Sequence, residues 1–328
     1  MKLDFYLISI FVAIGLAMIA PGLGASDGLL HLPVVTSIGV SLVFFLHGAA
    51  LAPQSLTASA TKWKLHLLVQ SSTFVLFPII GFGIFLISRG LLPDELRLGI
   101  VYLSVLSSTI SSSVALTALS GGNVAAAVFN ATLSGLIGLF ITPFLIGFAQ
   151  TTAAGQFSLV DAIIDVAKTL LLPFVLGQLA RPLICKLLAK RKKWVSMIDR
   201  TVIILIVYGA FCNATQAGIW RAYSPLLIAE IGVIVIALLV GALASNIHAA
   251  RALGFSREDE AASVFCGTTK SLANGAPIAS VLFAGNPNLA VILLPLVLYH
   301  LFQLVVCSAL ARRYAMGVEV QAGATSAG

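Results

Sequence analysis

Lys270 is the side chain with the clearest chemical potential in this chain. It lies in the run GTTKSLANG (residues 267–275) and is the only formal charge between Ala261 and Arg312. Holding an ammonium near the centre of a bilayer costs about 2.5–3.5 kcal/mol on insertion scales. Three uses compete for it. Snorkelling to an interface is disfavoured, because Lys270 is twelve residues from Glu258 and fifteen from Gly285. The others are binding an anionic substrate, or replacing a coupling cation, with proton exchange open to a desolvated amine. Thr268, Thr269, Ser271 and Asn274 surround it with small polar groups.

A second cluster, Ser107, Ser108, Thr109, Ser111, Ser112 and Ser113, puts six hydroxyls into seven positions. A single serine in a membrane helix usually bonds its own i−4 carbonyl, but a cluster this dense suits coordination of a cation or of a solute's polar groups. Asn130 and Thr132, with Gln70 and Thr73 sharing a face at i, i+3, are expected to line the same cavity. The candidate substrate- or ion-binding set is therefore Lys270, Thr268, Thr269, Ser271, Asn274, Ser111, Ser112, Ser113, Asn130, Gln70 and Thr73. His47 is expected to be a hydrogen-bonded structural residue. Asp161, Asp165 and Lys168 form an interfacial network in this reading, and Pro78 and Pro173 make kinks. Cys185, Cys212, Cys266 and Cys307 show neither CxxC spacing nor a histidine cluster, so no metal, disulfide or cofactor is expected. The chain has no HExxH, paired intramembrane aspartates or serine with a placed histidine base, which argues against an enzyme.

Composition decides what must position these residues. With 59% hydrophobic residues, 9% charged residues and a mean hydropathy of +1.06, the chain has too little polar surface for a soluble particle. Long continuous apolar runs, as at 65–88 and 225–245, exclude the alternation of a β-barrel. The expected class is an all-α polytopic membrane protein with ten spans. The two polar clusters then fall in spans 4 and 9, with Gly267, Gly275 and Pro277 expected to break the latter. Lipid supplies no hydrogen-bond partners, so unwound polar backbone survives at depth only where protein or a water-filled cavity surrounds it. Two such segments half a chain apart mark a solute site.

Ten spans divide into five and five, and an odd-numbered repeat re-enters the membrane inverted. The Gly122-Asn123 and Gly285-Asn286 turns, 163 residues apart, fit that scheme. The halves are expected at 1–150 and 158–314, followed by a short tail, 315–328. The apolar run 5–20 is expected to be a retained first helix, since Asp4 beside Lys2 weakens a signal sequence. With the N-terminus inside, fourteen of the nineteen basic residues fall on the cytoplasmic side, seven of them in a connection from Arg181 to Arg200, against three outside. This positive-inside bias predicts both termini in the cytoplasm and an inner (plasma) membrane location. It also accounts for the net charge of +7 without a nucleic-acid partner.

Three segments carry a resemblance: TISSSVALTALSGGNVAAAVFN (109–130), ITPFL (141–145) and GTTKSLANGAPI (267–278). Together they resemble the bile acid/sodium symporter superfamily, and within it the bile-acid-symporter-like solute-carrier branch, over nearly the whole chain. The resemblance implies a panel domain (spans 1, 2, 6, 7) and a core domain (spans 3–5, 8–10), with spans 4 and 9 broken and crossing. Sodium-coupled members hold two ions behind that crossover, using an EVGMQN-type segment in span 9 and a Ser-Asn pair in span 4. The matching stretch here is FCGTTK (265–270). An apolar residue near Val264 or Phe265 replaces the carboxylate, Thr replaces Gln, and Lys270 stands in place of Asn. The span 4 pair falls near Ser113 and Val114, and the span 3 glutamine becomes Thr73, five residues before Pro78.

The expected function is secondary active transport of an organic, anionic solute by alternating access, sodium-independent, with Lys270 replacing the coupling cation. The alternatives are a sodium-coupled organic anion symporter and a non-transporting membrane regulator or receptor on the same fold. The expected partners are that solute, H+ or Na+, and the lipid bilayer. On a background free of the native cysteines, a membrane-impermeant thiol reagent applied to whole cells should label Arg221→Cys and spare Lys192→Cys. The opposite pattern refutes the orientation.

Overall fold

The computed structural model describes residues 5–51, 61–154 and 159–325, so Lys2 and Asp4 lie outside the described residues, as does the side chain of Asp161. The helices are α1 (Phe5–Ile19), α2 (Leu32–Ala50), α3 (Trp63–Ser71), α4 (Phe77–Ile87), α5 (Asp94–Val105), α6 (Ile110–Leu119) and α7 (Val124–Ala154). They continue with α8 (Leu159–Val166), α9 (Leu172–Lys190), α10 (Lys192–Gln216), α11 (Pro225–Ala252), α12 (Arg257–Thr268), α13 (Leu272–Leu282) and α14 (Leu289–Thr325).

Among the described residues, seven helical stretches are long and apolar enough to cross a membrane, and α5 with α6, bent by 58° at their junction, makes an eighth if counted as one span. The two other expected spans are built differently. The first is the 15-residue α1, shorter than the roughly 20 residues a bilayer needs. The ninth is α12 with α13, whose opening turn Arg257-Glu258-Asp259-Glu260 is fully charged and whose middle is broken.

Two prolines are absorbed by π turns rather than sharp kinks. Ser72–Leu76 joins α3 to α4 just before Pro78, and Ala167–Leu171 joins α8 to α9 just before Pro173. In the first, the Phe77 N–H reaches back five residues to the Ser72 carbonyl. Pro78 would be next in that register, with the Thr73 carbonyl as its partner, but it has no N–H to give. The Thr73 carbonyl is thereby freed.

Two expectations need correction. The break in the ninth segment lies at Thr269–Ser271, between α12 and α13, and α13 runs unbroken through Pro277. The basic connection from Arg181 to Arg200 is not a loop: α9 continues to Lys190 and α10 begins at Lys192, so its charges stand on two helices hinged at Arg191. The expected short turns are present, with Gly121 (φ +69°) and Gly285 (φ +75°) in the left-handed region that ends α6 and α13.

Helices α2 and α9 pack along their length, and α10 packs against α1 and α2 while facing α13 and α14 on its other side. Glycines set the α2–α9 approach. A Cβ on Gly48 would strike the Phe174 carbonyl, and one on Gly177 would strike the Phe45 carbonyl. Small residues permit such backbone contact between membrane helices. Gly48→Leu should lower the melting temperature of purified protein, with a penalty of about 1–3 kcal/mol or more for overpacking. Gly15→Leu, at a glycine with open space around its α carbon, should leave it unchanged. Equal melting temperatures for Gly48→Leu and the parent would contradict this packing.

Candidate functional site

The Lys270 side chain is fully buried and its ammonium hydrogen-bonds to backbone carbonyls. Nζ donates to the carbonyls of Leu106 (2.7 Å), Ser104 (2.8 Å) and Thr73 (3.1 Å), and lies 4.2 Å from the centre of the Phe77 ring. Each carbonyl is available for a local reason. Ser104 belongs to the last turn of α5 and Leu106 follows it, and a helix end leaves its final carbonyls without intrahelical partners. Thr73 is the acceptor that Pro78 cannot use. An ammonium has three donors and no acceptor, so three carbonyls match it completely. The negative end of the α5 dipole adds to the attraction. Lys270 forms no ion pair with a carboxylate among the described residues.

The two helix breaks are stitched to each other. The Ser271 N–H donates to the Ser107 carbonyl (3.0 Å), the Ser108 and Thr269 hydroxyls meet at 3.1 Å, and Asn274 Nδ2 donates to Ser107 Oγ (3.1 Å). Gln303 of α14 brackets the ninth-segment break: Oε1 accepts from the Lys270 N–H (2.8 Å) while Nε2 donates to the Lys270 carbonyl (2.9 Å). The same Nε2 lies 2.8 Å from His300 Nδ1. Tyr299 donates to the Thr268 carbonyl at 2.6 Å, and Tyr102 to that of Gly275 at 2.5 Å. Buried polar backbone at the breaks therefore finds partners at nearly every step.

Beside this knot lies a cavity of about 750 Å³ between α2, α9 and α10 on one wall and α6, α13 and α14 on the other. Ile110, Ser111 and Ser112 at the start of α6 and Ala273 and Asn274 at the start of α13 line it; Thr109 gives α6 no side-chain cap, whereas Ser271 Oγ caps α13 by accepting from the Asn274 N–H (3.1 Å). Helix N-termini present unpaired N–H groups and positive potential. Arg181, Lys186, Lys192 and Arg200 line the far wall against a single carboxylate, Asp199, which sits 3.6 Å from His47. Ser112 Oγ and Arg181 Nε are buried with no hydrogen-bond partner among the described residues. An apolar annex of about 360 Å³, bounded by Phe44, Leu136 and Phe174, shares His47, Ile110 and Asn274 with the cavity. A separate crevice of about 740 Å³ opens elsewhere between α2, α10 and the end of α13, and reaches Asp165, Asn213 and Asn286.

The expected site residues separate into three groups. Lys270, Thr268, Thr269, Ser271, Asn274 and the Thr73 carbonyl gather at the crossing. Ser111 and Ser112 line the cavity, along with Ser271 and Asn274. Gln70 and Asn130 stand apart as a pair, Gln70 Nε2 donating to the Asn130 carbonyl (3.2 Å) and Oδ1 (3.3 Å). Several hydroxyls bond their own helix instead of facing open space: Thr73 to Val69, Ser113 to Thr109, Thr268 to Val264 and Thr269 to Phe265. Gln303, Tyr299 and Tyr102 were not anticipated. Gln303 has a readable signal as the one amide in the apolar stretch Leu289–Met316 of α14.

Broken half-helices abutting at a buried polar centre, within a bundle of apolar helices, define the class of integral membrane transporters. The chain belongs to the SBF-like CPA transporter family, which it matches over residues 4–316. It is 39% identical over 312 residues to "Putative symporter YfeH" of Escherichia coli, covering 95% of this chain and 93% of that protein. It is 31% identical over 311 residues to "Sodium/bile acid cotransporter 7" of Rattus norvegicus (94% and 91% covered). The zebrafish protein of the same name, from Danio rerio, is 30% identical over 314 residues (94% and 92%). The family resemblance carried by the three quoted segments is thus established.

Gln303→Leu should destabilise the protein by about 1–3 kcal/mol for each Lys270 backbone group it orphans. The expected readout is a lower melting temperature in detergent. An unchanged value would mean that the bracket contributes nothing.

Proposed function

We propose that this protein is a secondary active carrier of an organic anion with an apolar body, working by alternating access without sodium. The Lys270 ammonium takes the role of a coupling cation. One observation carries the reading: all three Nζ donors are taken by carbonyls, so none remains for a solute. A cage of backbone oxygens at the end of a broken helix is the environment such folds use for a cation, while half-helix N-termini point at anionic groups. Of the two uses open to Lys270, cation replacement fits this geometry and direct anion binding does not.

The solute then belongs in the 750 Å³ cavity, its charged group toward the first turns of α6 and α13 and the Arg181 side chain, its apolar body in the annex. Ser111, Ser112, Ser271 and Asn274 supply hydrogen bonds. Two inverted five-helix repeats, folded into a panel domain (spans 1, 2, 6, 7) and a core domain (3–5, 8–10), would rock about the crossing. The cavity and the 740 Å³ crevice, which share α2, α10 and α13 as walls, offer two separate openings for that motion. On the charge bias the protein sits in the inner membrane with both termini in the cytoplasm, and it acts as a carrier rather than an enzyme.

The names of the zebrafish and rat relatives favour one second reading, sodium-coupled symport. In this chain sodium would have to displace a tethered ammonium. Uptake of a panel of organic anions into proteoliposomes separates the two. Rates should be equal in sodium and potassium and should fall roughly 10–100-fold in Lys270→Met, the loss typical of a displaced site. Uptake that requires a sodium gradient overturns the proposal.

A further inference from the structure

A second cluster of charges lies apart from the crossing, where α11 ends, α12 begins and α14 leaves its apolar stretch. A pocket of about 480 Å³ there is lined by Arg251, Arg257, Arg313, Glu260, Phe255, Leu310 and Tyr314. Its single carboxylate is already engaged. Glu260 accepts from Arg251 Nε (3.1 and 3.3 Å) and from the Tyr314 hydroxyl (2.5 Å), and forms an ion pair with Arg251 Nη2 (3.1 Å). That pair is neutral as a unit, so two guanidiniums are left uncompensated.

Arg257 is the more unusual of them. It occupies the first position of α12, where the helix dipole disfavours a cation. Its Nη2 donates to the Tyr314 carbonyl (2.7 Å) and its Cζ lies 5.7 Å from the centre of the Tyr314 ring, while Nε is buried with no hydrogen-bond partner among the described residues. Arg313, one residue before Tyr314, is exposed, and its guanidinium makes no ion pair among the described residues. Paired guanidiniums fit a phosphate group better than any other common anion except a carboxylate.

The position supplies the rest of the ligand. The membrane-crossing stretches end at Ala252 in α11 and at Met316 in α14, which puts the pocket at a membrane surface. Leu253 and Met316 are 47% and 57% exposed at those ends. A phosphate in the pocket would leave its acyl chains beside these residues and the outer faces of α11 and α14. With Glu260 engaged, the pocket's own lining, among the described residues, has no free carboxylate to receive a choline or ethanolamine headgroup.

We infer that this pocket holds the phosphate of an anionic membrane phospholipid, a site separate from the solute cavity. Basic pockets between helices at a membrane surface commonly bind such headgroups. The test is the melting temperature of the full-length protein in detergent micelles doped with phosphatidylglycerol, with phosphatidylcholine, or with inorganic phosphate alone. A ligand that binds only the folded state raises that temperature. Phosphatidylglycerol should give a clear rise and the other two should not. The rise should be at least halved in Arg313→Gln, absent in the Arg257→Gln/Arg313→Gln pair, and intact in Arg221→Gln, which lies before the far end of α11. If the pair fails to fold, Arg313→Gln alone decides, because that side chain is exposed. The inference is overturned by an equal rise with phosphatidylcholine, by a full rise with inorganic phosphate, which would indicate a soluble anion, or by an undiminished rise in the arginine variants.

Discussion

The structure depends on one constraint: a fully buried ammonium that, among the described residues, has no carboxylate paired with it. Such a charge is tolerable only if all three of its protons meet acceptors, and inside a helical bundle the available acceptors are backbone carbonyls. Regular helices keep their carbonyls for themselves. The chain must therefore break a helix after α5 and shift another into π register before Pro78, so that Ser104, Leu106 and Thr73 face one point.

Those breaks create needs of their own, and the neighbouring elements meet them. The Lys270 peptide is bracketed by Gln303, the Thr268 carbonyl takes the Tyr299 hydroxyl, and the two breaks share hydrogen bonds through Ser107, Ser108, Thr269 and Ser271. The same geometry separates charge. The carbonyl end of α5 faces the ammonium, while the N–H ends of α6 and α13 face a cavity lined by more basic groups than acidic ones. The proposed function follows from this separation: the tethered lysine would occupy a cation site, and the cavity on the other side of the polar knot would take the solute.

Much of this is legible in the amino-acid order, because polar residues in an apolar context are conspicuous. Lys270, the hydroxyl run at 107–113 and the glycine turns at 121 and 285 all fall where the chain departs from helix or turns back. The cage itself is not legible, since every residue has a carbonyl and only folding determines which ones are freed. The hydroxyls mislead for a related reason. Ser113, Thr73, Thr268 and Thr269 satisfy their own helices, an outcome that residue type alone does not distinguish from ligation. Pro277 draws attention away from the true break at Thr269–Ser271, and the charges between Arg181 and Arg200 read as loop although they extend two helices beyond their apolar stretches.

The central claim is that Lys270 fills a cation site. The most direct measurement is the thermal stability of Lys270→Ala and the parent protein, each titrated with methylammonium, sodium and a large cation that cannot enter. Truncating the side chain leaves three carbonyls around an emptied centre, so the variant should melt earlier and recover with the small cations. The parent should respond to none of them. A variant as stable as the parent and indifferent to cations, or a parent that sodium stabilises, would contradict the account.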